Sequence, residues 1–598
     1  MLRAVSPRRP ALCALLLSLC CAAQAAAAGD PIMPLSQVQR GMHCTGYSVI
    51  RGTDISSFDV TIDDIVSDAS DQTSILATVS GPAVDSTGVG PGFSGSPVYC
   101  PSPSDGTPEV AGAIAIGLGD YGNKTLLLTP IEKMLGEPVS PPSSARRDPR
   151  VFRHARPLAL PVSIAGLSPA VSGFFARAAK RAGRELIGAP SAPRVDFPVQ
   201  TLKPGAAMAV GLSSGDIEAG AIGTVTYVDG NDIWAFGHPL DSVGPRSLFL
   251  QDAYVYAVIN NPTGTLDAST YKLAAPGHDV GTLTGDGVFA VTGILGALPP
   301  HFPLVVNATD ADTGAKETLT TQIADERGVG NPTGLSPLNL VGTATVAQAA
   351  YDILHGSPVH TSGQMCASFT VAERSKPMRF CNTYVASGSG EAADGAGSLA
   401  GAPEVSDFGQ AVGMVDGFQL GPLHITGVDV ELSLRRGLAQ AFMTSIHSPT
   451  RRMHRGSTYP LTVGLTKPGG AKSKVTIKVR VPRAIPKGKR DLVLSGTPSD
   501  VAGGGSLTKL ILALLSTPDE RGALNVADLA KDIAGLQRYD GVTASFRPPR
   551  KKGDPIGSPT SDDALPSGGE GRAQRERPVY RNPKLRLSSA VAVRVTIV

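Results

Sequence analysis

Aromatic side chains are scarce in this 598-residue chain, making up 5% of it with a single Trp. An excess of one charge is missing too: 54 Lys and Arg stand against 51 Asp and Glu. The net charge of +3 sets up no field that would concentrate nucleic acid or anionic lipid, so a nucleic-acid role has no compositional support. Beyond residue 28 no apolar run approaches the ~20 residues that a spanning helix needs. Zinc spacings such as CxxC are absent, and the Gly-rich loop at 88–95 lacks a Gly-Lys-Ser/Thr ending, so neither a metal nor a nucleotide cofactor is implied. What the chain has in excess is turn formers, 69 Gly and 49 Pro, which favour many short strands over long helices.

The first residues read as an export signal. Arg3, Arg8 and Arg9 precede an apolar run from Ala11 to Ala28 that ends in small residues, with cleavage expected between Ala25 and Gly29. Retention as an anchor is the alternative, since the run is close to the minimum spanning length. The expected location is outside the cytoplasm, as a periplasmic, envelope or secreted protein touching the membrane only if the signal stays uncleaved. Cys13, Cys20 and Cys21 leave with the signal, and the remaining Cys44, Cys100, Cys366 and Cys381 form an even set suited to two disulfides in an oxidising compartment. Cys366 and Cys381 lie in facing apolar runs about the turn-like stretch Glu373 to Pro377, so they are expected to pair. Cys44 with Cys100 would then tie an early strand to the strand after a serine-bearing turn.

The pattern along the chain is mainly β. A serine-bearing β-barrel half is expected over 29–137, closing with a short helix that opens on a capping box at Thr129 to Glu132 and stops at Gly136. A linker and an amphipathic surface helix follow over 138–197, then a histidine-bearing β unit over 198–330. A helix from Ser336 to His355, the cysteine hairpin and a Gly/Ala/Ser-rich linker fill 331–415. The alternating runs of 416–500 are spaced as in a β-sandwich of immunoglobulin-like type. A small helical segment over 501–545 and a disordered tail over 546–598 with a terminal strand complete the chain.

The strongest chemical signal is Gly92-Phe93-Ser94-Gly95-Ser96-Pro97 between two strands. A nucleophilic serine needs an exposed tight turn whose backbone N–H groups point where the oxyanion forms, and the glycines permit that turn. Ser94 is the expected nucleophile, the amides of Gly92 and Ser94 the expected oxyanion donors, and Ser96 structural. A Gly/Ser-rich turn without chemistry is the alternative. Gly117 to Gly122 fits GxGxxG after a strand, but a strand ending in Pro follows instead of a helix, which excludes the dinucleotide-binding reading. Among the histidines, His154, His355, His360, His447 and His454 fall in linkers, near helix ends or in the C-terminal half. His43 lies only about fifty residues before Ser94, too few for two barrels to intervene. His238 in Trp234-Ala235-Phe236-Gly237-His238-Pro239 ends a strand at a turn and is the better base, the alternative being a hydrogen-bonded loop histidine.

FDVTI, a TG-containing turn, GFSGSPV and GAIAIG together resemble the SpoIVB (stage IV sporulation protein B) serine peptidase family, whose serine lies in a GMSGSP-type motif. AIGTVTYVDGNDIWAFGH resembles that family's other half, where a GTxTF-type strand leads to a Gly-His carrying the catalytic histidine. The likeness covers about 31–136 and 200–260 and implies a trypsin-like double β-barrel in which Ser94 and His238 act on a protein or peptide substrate without a cofactor. Two departures stand out. The halves are permuted, the serine preceding the histidine, and the position of the family's acidic residue holds Ser80-Gly81-Pro82. Asp85 and Asp241 are the candidates for an acidic partner, or there is none. The expectation is an exported serine endopeptidase. The alternatives are a non-catalytic envelope binding or scaffold protein that keeps the peptidase fold, and a protease limited to its own processing.

Overall fold

Apolar and polar residues alternate with period two in the first strands of the first unit, each turning its apolar set to one side, whereas the run Pro108–Gly117 is buried on both faces. The computed structural model describes residues 29–67, 72–118, 124–141, 161–181, 185–191, 197–260, 270–329, 336–356, 358–387, 403–496, 523–536, 538–549 and 578–598. Strands β1 (His43–Arg51), β2 (Asp54–Ser67), β3 (Thr73–Ser80), β4 (Pro97–Pro101), β5 (Pro108–Gly117) and β6 (Thr125–Pro130) form a closed barrel in the order β1-β2-β3-β6-β5-β4. Pairing of Thr45 with Tyr99 and Gly46 with Val98 closes it. Phe58, Val60, Ile62, Val79, Ile114 and Leu128 fill its interior. Helix α1 (Ile131–Leu135) follows, but not through a capping box. The Thr129 hydroxyl donates instead to the carbonyl of Gly237 at 2.5 Å, and the Glu132 carboxylate accepts from the backbone N–H of Leu35 at 2.8 Å. Tertiary partners outcompete the local cap.

The second unit contains β7 (Val162–Ala165), α2 (Pro169–Arg181), β8 (Leu186–Gly188), β9 (Ala207–Gly211), β10 (Ser213–Gly215), β11 (Glu218–Asp229), β12 (Asp232–Ala235), β13 (Gly244–Ile259), β14 (Tyr271–Asp286) and β15 (Val291–Leu295). Its eight-stranded sheet curls back on itself, because β12 pairs with both β11 and β15. The pairings β9-β11-β12-β15-β14-β13 thereby run in a closed circuit, with β13 returning to β9. The amphipathic helix α2 buries Val171, Phe174, Phe175 and Ala178 beside it. The two units meet along Val49, Ala207, Ile222 and Val255, reinforced by a reciprocal backbone pair between Gly52 and Val255 at 2.7 and 3.0 Å.

The histidine-bearing unit expected over 198–330 divides between two sheets. β16 (His301–Asp310) and β17 (Lys316–Ala324) join β18 (His360–Val371), β19 (Arg374–Ser387) and β20 (Ile425–Arg436) in the order β10-β17-β16-β20-β18-β19. Helix α3 (Pro337–Ile353) packs on this sheet, with Ser336 accepting from the Asn339 N–H at its start. β20 was expected in the C-terminal sandwich but lies between β16 and β18, parallel to β16. Its inward residues Val428, Val430 and Leu432 belong to the core shared with α3, and that burial outweighs sequence proximity to the following strands.

From Gln440 onward two smaller sheets share one apolar core containing Leu461, Val463, Ile477, Leu492 and Val595. Ala590–Ile597 pairs antiparallel with Gly488–Ser495. Of the helical segment expected over 501–545, Val526–Ala534 is a helix and 497–522 lies outside the described residues, as does 550–577 of the tail. No helix among the described residues is long and apolar enough to cross a membrane. Cys44 and Cys100 are joined, as are Cys366 and Cys381, and two disulfides are compatible with an exported protein.

The bridges close chain segments of 56 and 15 residues, and in the chain-entropy account the longer one restricts the unfolded chain more. Replacing Cys44 and Cys100 together by Ser is expected to cost about 4 kcal/mol and the same change at Cys366 and Cys381 about 3 kcal/mol. Urea denaturation of the two double variants checks the order; equal or reversed losses contradict it.

Candidate active site

The serine turn leaves β3 and returns at β4. Gly92 (φ +93°) and Gly95 (φ +87°) stand in left-handed conformations that a side chain would strain. A Cβ on Gly95 would also lie 2.0 Å from the Thr224 carbonyl oxygen, so only glycine lets this turn meet β11 of the second unit. Thr224 N–H donates to the Ser94 carbonyl at 2.8 Å, and the Thr226 hydroxyl donates to the Gly95 carbonyl at 2.7 Å.

The histidine comes from the opposite side. After the hairpin of β11 and β12, Phe236 and Gly237 both take φ of +70° and turn the chain sharply. The Phe236 ring is fully buried in the space left by Gly223, where a Cβ would sit 2.2 Å from it. The result brings His238 Nε2 to 2.9 Å from Ser94 Oγ, across 144 residues of sequence. His238 Nδ1 lies 2.7 Å from the Pro239 carbonyl oxygen. A carbonyl only accepts, so Nδ1 carries the proton and Nε2 is left to accept from the Ser94 hydroxyl. Both side chains are buried, at 0% and 1% exposure. Burial pushes the imidazole down to about 4, against the smaller upward pull of the Pro239 hydrogen bond, which keeps it neutral.

Neither acid considered for a third position reaches the imidazole. Asp85 is exposed and bonds Lys124 Nζ at 2.9 Å, while Asp241 meets Arg246 at 3.4 Å. A carboxylate acts one step removed: buried Asp286 accepts from Leu240 N–H at 2.7 Å and from Asp241 N–H at 2.8 Å. It thereby fixes the chain just after the Pro239 carbonyl that orients the ring. Burial pushes the Asp286 carboxyl up, countered by Arg246 and by the two amides. Arg246 in turn forms a two-pronged ion pair with Glu326 at 2.7 and 3.0 Å.

The directions of the Gly92 and Ser94 N–H groups, the expected oxyanion donors, follow from peptide planarity. The Pro91 carbonyl accepts from Lys272 N–H at 2.9 Å, so the Gly92 N–H, anti to it across a trans peptide, points the other way. The Phe93 carbonyl accepts from the Ser96 hydroxyl at 2.6 Å and from Ser96 N–H at 2.9 Å, so the Ser94 N–H likewise faces away. Among the described residues no backbone or side-chain acceptor is bonded to either N–H. Ser96 is a supporting residue, fully buried, and His43 is exposed at the start of β1. His355, His360, His447 and His454 are exposed and bond to neither Ser94 nor His238, and His154 lies outside the described residues. No group of three or more His, Cys, Asp or Glu able to hold a metal occurs among the described residues.

Sequence reasoning missed Asp286 and Lys272. Asp286 sits in a Gly-flanked strand end without a motif. Lys272 did leave a signal, as a lone lysine in the inward register of β14 with Ala274 and with Thr270 just before the strand, all three buried. No protein-family model, curated protein or solved structure matches the chain.

Between pH 6.5 and about 4 the unfolded histidine binds a proton that the folded one refuses, so stability falls as the pH drops through that window and levels off below it. The loss attributable to His238 is about 3 kcal/mol. Urea denaturation from pH 7 to 4 is expected to show this slope in the wild-type protein and its absence in His238→Gln. Identical slopes would mean that the imidazole is not held neutral.

Proposed function

We propose that the protein is an exported serine endopeptidase of the SpoIVB type with its halves permuted. The reading rests chiefly on the 2.9 Å contact from Ser94 Oγ to a His238 ring whose other nitrogen is already committed. In this mechanism Ser94 Oγ attacks the scissile carbonyl carbon as its proton passes to His238 Nε2. The oxyanion is received by the Gly92 and Ser94 amides. The imidazolium then protonates the departing amine as the C–N bond breaks, and water hydrolyses the ester with the proton moving back along the same path. The dyad needs no carboxylate for orientation, because the Pro239 carbonyl holds the tautomer. The closed barrel and the closed circuit of the second unit favour a trypsin-like pair of barrels, each supplying one partner. The C-terminal sheets are read as a non-catalytic, immunoglobulin-like module beside it.

Both reacting side chains are shielded from solvent, so a peptide can reach Ser94 only after the covering elements part. The same burial favours a second reading, a scaffold in which the serine–histidine bond ties two units together without chemistry.

A fluorophosphonate probe separates the two. Covalent labelling of the wild-type protein, lost in Ser94→Ala and slowed on the order of 10⁴-fold in His238→Ala, is the expected result. Ser96→Ala should slow labelling far less, and His43→Ala should leave it unchanged. No labelling of the folded wild-type protein, or full labelling of the His238 variant, overturns the peptidase reading. Mass spectrometry for a single cut between Leu135 and Arg156, with no turnover of added protein, would restrict the activity to self-processing.

A further inference from the structure

The serine turn rests on an amine. Lys272 enters from β14, and its stem occupies the space that a side chain on Gly92 would need: a Cβ there would lie 2.8 Å from Lys272 Cβ. Its Nζ is buried, 2.7 Å from Ser48 Oγ on β1, 3.3 Å from Thr224 Oγ1 on β11 and 4.5 Å from the centre of the Phe93 ring. The Thr224 hydroxyl lies 3.0 Å from the Gly92 carbonyl oxygen. Ser96 Oγ lies 2.8 Å from Ser48 Oγ and 2.6 Å from the Phe93 carbonyl oxygen.

Counting hydrogens orders this network. Each hydroxyl has one, and a carbonyl has none, so Ser96 donates to Phe93 and Thr224 to Gly92. The Ser48 hydroxyl then has two acceptors in reach, Ser96 Oγ at 2.8 Å and Thr224 Oγ1 at 3.4 Å. Both Ser48 and Thr224 are left as acceptors, and Lys272 Nζ supplies an N–H to each. Two N–H bonds from one nitrogen therefore hold a cluster of three hydroxyls that reaches the two carbonyls flanking Phe93. A neutral amine has just these two hydrogens, whereas an ammonium adds a third with only the Phe93 ring to meet it.

We propose that Lys272 is a positioning residue that holds the oxyanion-binding turn from beneath and makes its geometry depend on pH. The proposal rests on the peptidase reading of Ser94 and His238. Every group that the described residues turn toward Nζ is uncharged: the hydroxyls of Ser48 and Thr224 and the ring of Phe93. Burial without an opposing charge pushes the amine down to about 7. Above that pH the neutral amine keeps the turn packed. Below it the amine takes up a proton whose charge only the Phe93 ring and two hydroxyls face, and the turn's hold on the Gly92 and Ser94 amides weakens.

Lys272→Met keeps the stem and removes both N–H bonds and the titration. Fluorophosphonate labelling of the full chain from pH 3.5 to 10 is the test. The wild-type rate is expected to fall through two inflections, near 7 and near 4. The variant is expected to be slower by about 10²-fold at pH 9, the scale of an ångström-sized misplacement, and to keep only the lower inflection. Thr224→Val, which cuts one of those bonds and leaves the amine, should slow labelling while retaining the inflection near 7, and it serves if the methionine variant fails to fold. Thermal melting supplies a readout independent of chemistry. Between about pH 7 and 10.5 the unfolded lysine holds a proton that the folded one has released, so wild-type stability rises with pH across that range relative to Lys272→Met. A methionine variant with the wild-type rate and both inflections, or a melting difference flat in pH, overturns the proposal. A wild-type protein that shows the melting difference but never labels overturns the peptidase reading, and the positioning role with it.

Discussion

Ser94 accepts a hydrogen bond from the Thr224 N–H at 2.8 Å, and that bond requires two backbones from different units to approach with no side chain between them. Gly95 supplies the missing Cβ on one side, and the flanking contacts follow from it. With the turn seated on β11, Thr226 reaches the Gly95 carbonyl, Thr224 reaches the Gly92 carbonyl, and Phe236 finds its place over Gly223. The His238 ring then meets Ser94 because its own loop is pinned from both ends, at Gly237 by Thr129 and beyond Pro239 by Asp286. A bulkier residue at Gly95 would separate the units before it touched the chemistry.

The environment of the site is uncharged where a serine peptidase more often has a carboxylate. Orientation of the imidazole by a carbonyl avoids placing an anion in a desolvated cleft, and the carboxylate that is present serves the backbone instead. The arrangement resembles the support beneath the serine turn, where hydroxyls and an amine stand in for an ion pair. Charge beside the histidine lies in a cluster in which Arg246 meets Glu326, Asp241 and Asp286 at 2.7 to 3.7 Å.

Short motifs with a backbone reason were readable from the sequence; partnerships across the chain were not. GFSGSP carries its turn in its glycines, and the histidine is placed by a two-residue hairpin and a Gly-His step, so Ser94 and His238 could be singled out before any contact was known. The disulfide partners were readable because Cys366 and Cys381 lie in facing apolar runs about a turn, although the turn falls at Ala372-Glu373 and Arg374 to Pro377 belong to the second strand. By contrast, the capping box at Thr129 failed because the helix begins one residue later, with Pro130 at its N-cap, while the Thr129 hydroxyl turns to Gly237 and the Glu132 carboxylate to Leu35. β20 was misassigned to the C-terminal module because alternation marks a strand without naming its neighbours, and a parallel pairing with β16 leaves no local trace. Asp286 and Lys272 act through backbone amides and buried hydroxyls, which have no sequence signature beyond a polar residue in an inward register.

The separation of 144 residues between serine and histidine also bears on the order of synthesis. As the chain emerges, the barrel that carries Ser94 is complete well before β12, β14 and the Asp286 carboxylate exist. Domains generally fold as units as they appear, N-terminal first. For that interval the hydroxyl has no acceptor and its turn has neither the Thr224 nor the Lys272 support. A chain of which only the first barrel has been made therefore holds Ser94 without its His238 partner, and in the peptidase reading it would be inactive until β14 has been added.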